Sequence, residues 1–154
     1  MAIRNIVKEG DERLAKVCRP VEKFDRHLEE LVHDMKDTLK LAEGLGLAAP
    51  QVGILRRVVG VVDDNGKMFE LINPEIVEAV GEQEAHEGCL SIPGVFGVTR
   101  RPARVTVRAK NVKGEDVQYT REGITAVCFC HELDHLDGIL FRTHVEHYLD
   151  PDED

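Results

Sequence analysis

The five residues His131-Glu132-Leu133-Asp134-His135 hold the side chains best suited to chemistry in this chain. Two histidines four apart share one helical face and can bind a single metal ion. Glu132 follows the first, about 100° round the helix. A carboxylate there reaches a metal-bound water without being a ligand. The approach from Gly123 to Cys130 carries no charged side chain. Ile124, Val127, Cys128, His131 and His135 continue one face, while Ala126, Phe129, Cys130, Leu133 and Leu136 cover another. A helix apolar nearly all round is a buried one, and buried histidines and glutamates need partners. The partner is a metal ion or, in the plainer alternative, Asp134 or Asp137 beside two core histidines.

A catalytic metal site of this kind takes three protein ligands and keeps one position open. Cys89, in a loop flanked by glycine and proline and preceded by Glu87, is the best third candidate. Its plainer reading is a buried free thiol. His86 and His144 are weaker candidates, and His144 and His147 lie past the helix stop. Residues 44–53 are rich in glycine and alanine, which lets backbone or ligand approach closely. Without Gly-Lys-Ser/Thr they make a weak phosphate loop, and a tight helix-to-strand connection is the alternative. Gln51 is the one side chain there able to donate hydrogen bonds.

Other elements must position these groups. An N-terminal arm with a helical turn at 11–14 ends at Arg19-Pro20, since the residue before proline avoids the helical region. Residues 25–43 make an amphipathic helix capped by Asp25, with Leu28, Leu31, Val32, Met35, Leu39 and Ala42 inward. His27 and His33 lie among its charges and read as solvated. Strands are expected at 57–63, 69–72, 76–80, 103–110 and 116–120, with Pro74 breaking the run and 88–94 as a loop. Thr120 is expected to cap the central helix and Gly138 to stop it. The acidic tail, 146–154, is expected to be frayed. The fold class is α+β: mostly antiparallel sheets around a buried HExxH helix, with an N-terminal amphipathic helix, in a single domain over 1–154.

Composition narrows the function. Among 154 residues, 32% are charged and 42% hydrophobic, and no apolar run approaches membrane-spanning length. Twenty basic and 29 acidic residues leave a net charge of −9, which argues against direct nucleic-acid binding. The N-terminus lacks signal and transit patterns, so a cytoplasmic location is expected. Four cysteines without a disulfide-like spacing suit a reducing compartment. Cys18 reads as a small core residue.

Three segments together carry a resemblance. Gly44-Leu45-Gly46-Leu47-Ala48-Ala49-Pro50-Gln51, Glu87-Gly88-Cys89-Leu90-Ser91 and His131-Glu132-Leu133-Asp134-His135 resemble, in order and at similar separations, the three signature motifs of peptide deformylases. The likeness covers essentially the whole chain. It implies that Cys89, His131 and His135 bind one divalent metal, with water in the fourth place. It implies Glu132 as general acid/base, and the Gln51 amide and Leu90 backbone N–H as donors to the formyl oxygen. It implies a methionine pocket of Leu45, Gly46, Ile124, Cys128 and His131, with the peptide extended along a glycine-rich edge that includes Gly88. The substrates would be N-formyl-methionyl peptides of nascent proteins, and the products formate and a free amino terminus. The metal would be Fe2+ in the cell, with Zn2+ or Ni2+ in a purified sample.

The chain departs from the family in two places. Cys130 stands where many members carry glutamine before the first metal histidine. The end, Asp150-Pro151-Asp152-Glu153-Asp154, is acidic where many bacterial members carry a basic helix, so weak ribosome association is expected. No stretch reads as an interface, so a monomer is expected. One rival is an HExxH metallopeptidase, which normally takes a third His or Glu rather than Cys89. Another is a non-catalytic, metal-stabilised binding protein of the same fold, against which Glu132 and Gln51 argue.

Overall fold

The computed structural model describes residues 2–150. Its order is α1 (Arg26–Ala42), β1 (Gly46–Ala48), a 3-10 turn (Ala49–Val52), β2 (Val58–Val62), β3 (Met68–Val80), β4 (Gln83–Cys89), β5 (Ile92–Arg101), β6 (Arg104–Lys110), β7 (Asp116–Glu122), α2 (Gly123–Leu136) and β8 (His147–Leu149). Short 3-10 turns also occur at Glu12–Ala15 and Phe141–His144. All strand pairs are antiparallel, in sheets ordered β1-β2-β3-β6-β7 and β4-β5-β8. This is the α+β class expected. Among the described residues no helix is long and apolar enough to cross a membrane.

Alternation along β2 separates two cores. Val59 and Val61 face α2, joining Phe69, Leu71, Val105 and Val107 under Ala126, Phe129, Cys130, Leu133 and Leu136. Val58 faces the other way, with Leu47 and Ile72, under Leu28, Leu31, Val32, Met35 and Leu39 of α1. Asp25 caps α1 by accepting from Leu28 N at 3.2 Å. Cys18 lies in the α2 core, and His27 and His33 are exposed. Helix α2 packs on the five-stranded sheet and also reaches β4 and β5, so it is shared by both sheets. That explains why its sequence is apolar on nearly every side.

Five expectations need correction. Pro74 does not end a strand: β3 runs through it at a bulge, where register with β6 shifts between Ile72 and Glu75. A bulge tolerates the missing N–H. Asn73 makes it with φ 53, and its side chain grips the Val21 backbone at 2.7 and 2.9 Å. Residues 88–94 are not one loop: β4 runs to Cys89, β5 starts at Ile92, and only Leu90 and Ser91 turn between them. Residues 83–87 and 95–101, not expected as strands, belong to that hairpin. Thr120 does not cap α2. It lies within β7, Oγ1 2.8 Å from Thr106 Oγ1, and the chain swings into the helix at Gly123 with φ +60. The tail is not frayed from 146: Glu146 N donates to Val98 O at 2.8 Å, and β8 takes the open edge of β5. Residues 151–154 of the tail lie outside the described residues.

The end of α2 is held from three directions. Arg57 Nη1 donates to Leu136 O at 3.1 Å and to Asp137 Oδ1 at 3.0 Å. Cys18 N donates to Leu136 O at 2.8 Å. Gly138, with φ +74, stops the helix as expected, and a Cβ there would lie 2.6 Å from Ala15 backbone atoms.

Candidate metal centre

Helix α2 presents His131 and His135 one turn apart on the side facing the β4–β5 hairpin. Cys89 sits at the end of β4, where the chain turns. The ligand atoms of Cys89, His131 and His135 all lie within 4.8 Å of one another. Cys89 Sγ is 3.4 Å from His135 Nε2. The weaker third-ligand candidates stand elsewhere. His86 is exposed on the cavity wall, and His144 Nε2 lies 3.2 Å from Asp134 Oδ2.

The pairing of the histidines also differs from the plainer alternative. His131 Nδ1 donates to Glu87 Oε1 at 2.8 Å, and Asp137 is taken by Arg57. The Glu87 bond engages Nδ1 and leaves Nε2 as the atom for a metal, as a carboxylate–histidine–metal arrangement requires. Glu87 is itself fixed: Arg101 reaches it with Nε at 2.7 Å and Nη2 at 2.9 Å, and Thr99 Oγ1 donates to it. Arg101 Nη1 continues to Asp134 Oδ2 at 2.9 Å. Burial disfavours the Glu87 carboxylate, but the His131, Arg101 and Thr99 bonds outweigh it and hold its pKa down at about 2. Phe141 stacks on His131 at 5.8 Å between ring centroids.

Glu132 is buried, with Oε2 3.9 Å from His131 Nε2 and Oε1 without a hydrogen-bond partner among the described residues. Burial raises its pKa to about 7, against the opposite pull of the neighbouring His131. Burial opposes a charge on His131, yet Glu132, Cys89 and Glu87 together push its pKa up to about 10. His135 is pushed down to about 3 by burial and by the neighbouring His131. One thiol and two imidazoles suit a first-row divalent metal, and the partnerless Glu132 oxygen leaves a place for a proton donor. The residues fit a metal.

Gln51 comes from the 3-10 turn after β1 and is 1% exposed. Its Oε1 accepts from Ala48 N at 2.9 Å, which turns Nε2 toward Ser91 Oγ at 3.2 Å and Cys89 Sγ at 3.6 Å. A cavity of about 460 Å3 opens beside it. Leu45, Gly46, Gly88, Cys89, Leu90, Ile124, Cys128, Gln51, His131 and Glu132 all line it. His135 lies behind them, fully buried. Burial pushes the Cys128 thiol up to about 12, so it remains a neutral wall. Val127 and Phe96 also line the cavity.

Sequence reasoning missed the roles of Glu87, Ser91, Arg101 and Asp134. Only Glu87 had a signal, its place two residues before Cys89 in a strand, which puts both side chains on one face. Arg101 and Asp134 meet only through the fold.

The sequence model of the family described as polypeptide deformylase matches residues 3–149. A peptide deformylase from Acetivibrio thermocellus is 53% identical over 99% of this chain and 89% of its own length. Peptide deformylase 2 from Clostridium acetobutylicum is 51% identical over 97% of this chain and 99% of its own. Among solved structures, a peptide deformylase from Legionella pneumophila is similar with a TM-score of 0.91 and 44% identity, over 94% of this chain and 87% of that one. One from Thermotoga maritima gives 0.91 and 39%, over 95% and 99%.

Proposed function

The chain belongs to the polypeptide deformylase family, and from that premise we propose how its own residues remove the formyl group from the N-terminal formyl-methionine of new proteins. The enzyme is a metal-dependent hydrolase and releases formate. Cys89, His131 and His135 would hold the metal, which when bound supplies Lewis acidity and an acidic water as nucleophile. Glu132 takes the proton of the attacking water and passes it to the leaving amine. The Gln51 amide and the Leu90 N–H donate to the oxyanion that forms on the formyl oxygen. Glu87, held by Arg101, fixes the tautomer and orientation of His131.

Leu45, Gly46, Ile124, Cys128 and His131 would enclose the methionine side chain. Strands β1 and β4 each end a sheet and so leave main-chain groups free. An extended peptide lying between them, past Gly88, would bond through its backbone, which does not read sequence. The donor set suits Fe2+ in the cell, and Zn2+ or Ni2+ after purification. A cytoplasmic location, where formylated chains are made, and a monomer belong to the same reading.

One observation carries it: three donors converge beside a buried carboxylate, one oxygen of which has no hydrogen-bond partner among the described residues, at a cavity that Gln51 and Glu132 both line. The test is formate release from formyl-Met-Ala-Ser, run anaerobically with metal analysis of the same sample. Wild type should release formate with about one metal per chain. Glu132→Ala should keep the metal and lose about 10²–10⁴ in rate, the usual range for a general acid–base group. Equal rates for the two proteins would refute the assignment.

A further inference from the structure

The N-terminal arm supplies no residue to the metal cluster, yet it bonds two residues beside it. Val7 N–H donates to the Gln51 carbonyl at 2.7 Å, and Glu9 N–H to the Ser91 carbonyl at 2.9 Å. In an extended segment residues two apart face one way. One short stretch therefore bridges the turn that carries Gln51 and the turn that carries Leu90 and Ser91. These are the two turns that bear the oxyanion donors.

The arm is fastened on both sides of that bridge. Before it, Arg4 N donates to Thr38 Oγ1 at 2.9 Å and Arg4 Nε to Asp34 Oδ2 at 3.0 Å, both on α1. At its end, the Glu9 carboxylate takes two bonds from Arg142, Nη2 to Oε1 at 2.9 Å and Nε to Oε2. Arg142 also donates Nη1 to the Tyr148 hydroxyl at 3.1 Å and lies 5.5 Å from the Tyr148 ring centroid. It follows Phe141, the residue stacked on His131. A two-bond arginine–carboxylate pair fixes geometry as well as charge.

We propose that the Glu9–Arg142 pair is a positioning latch for the oxyanion donors, holding the arm across Gln51 and Ser91 and so setting where the Gln51 amide and the Leu90 N–H stand relative to Cys89. The proposal rests on the roles given above to Gln51 and Leu90. Both partners are about a third exposed, at 36% and 35%. Such pairs add little to global stability, so loss of the latch leaves the fold and the ligands in place. What it disturbs is alignment, to which the transition state is far more sensitive than the ground state. Glu9 and Arg142 act through other residues and touch no substrate atom.

Glu9→Ala and Arg142→Met each open the latch. Either should lower kcat on formyl-Met-Ala-Ser about tenfold, a part of the 10²–10³ that a missing oxyanion donor costs. KM should stay within about twofold, with metal content and melting temperature unchanged. Exchanging the charges, Glu9→Arg with Arg142→Glu, should recover most of the loss. In a Gln51→Ala background, Glu9→Ala should add at most about threefold, because the Gln51 share of the effect is already gone and only the Leu90 N–H is left to disturb. Unchanged kcat in both single variants overturns the latch. So does a full tenfold loss in the Gln51→Ala background, or a fall in kcat matched by an equal loss of metal. If Gln51→Ala itself left kcat intact, the role of Gln51 would fall and take the latch with it, which separates that failure from failure of the latch alone.

Discussion

Replacing Gly46 by alanine places a methyl group against the proposed general base. A Cβ on Gly46 would stand 2.6 Å from Glu132 Oε2, 2.8 Å from its Cγ and 3.0 Å from its Cδ. Gly46 is not among the glycines with positive φ, so backbone strain adds nothing and the effect is steric. Ordinary contact begins near 3.4 Å, so the carboxylate must retreat by about 0.8 Å. Glu132 is buried on a packed helix, and such overpacking costs about 1–3 kcal/mol of stability. The larger effect is on the reaction, since a shift of about 1 Å in a reacting group costs about 10² in rate. Gly46→Ala should therefore lower kcat for formate release about a hundredfold while keeping native circular dichroism and full metal content. Gly46 also lines the cavity, so KM must be measured separately: simple obstruction of the pocket raises KM, whereas displacement of the base lowers kcat. A folded, metal-loaded Gly46→Ala protein with kcat within about threefold of wild type would refute the placement of Glu132.

Two further predictions concern the buried ion network. Arg101→Met keeps an apolar stem but leaves Glu87 buried with fewer partners, and should cost about 3–5 kcal/mol in urea unfolding; a loss below about 1 kcal/mol would contradict it. In the metal-stripped protein, the folded pKa of Glu87 lies at about 2 against an ordinary 4.5. Its stabilisation is therefore fully present above pH 4.5 and lost as pH falls through about 2, amounting to about 3 kcal/mol. Acid unfolding of that protein should move to higher pH in Arg101→Met, and an unmoved acid transition would count against the network.

The helix that carries the histidines was legible because its signals are local: a ligand pair one turn apart and an apolar approach. Convergence of Cys89 on that pair was legible only as a candidate, since 42 positions of chain separate it from His131. Strand β4 was not legible, because the residues it turns inward are Ala85 and a charged Glu87. A buried carboxylate spoils the period-two pattern of hydrophobicity, and only its partner Arg101, on the neighbouring strand, makes that position sensible. Pro74 misled for a related reason. Proline breaks a ladder only where an N–H is required, and the bulge at Asn73 removes the requirement. The tail misled because its pairing comes from an open edge of β5, which no feature of residues 147–149 announces.

His135 lies in the final turn of its helix, the part of a helix that ordinarily frays. Arg57, Cys18 and the close abutment of Gly138 on Ala15 tie that turn to the start of the chain and to the main sheet. A bound ion should then be unable to escape by a private, small-scale unzipping of its own ligand. Loss of the ion from the folded chain would then go through the cavity and the open coordination position, not through fraying of the helix end.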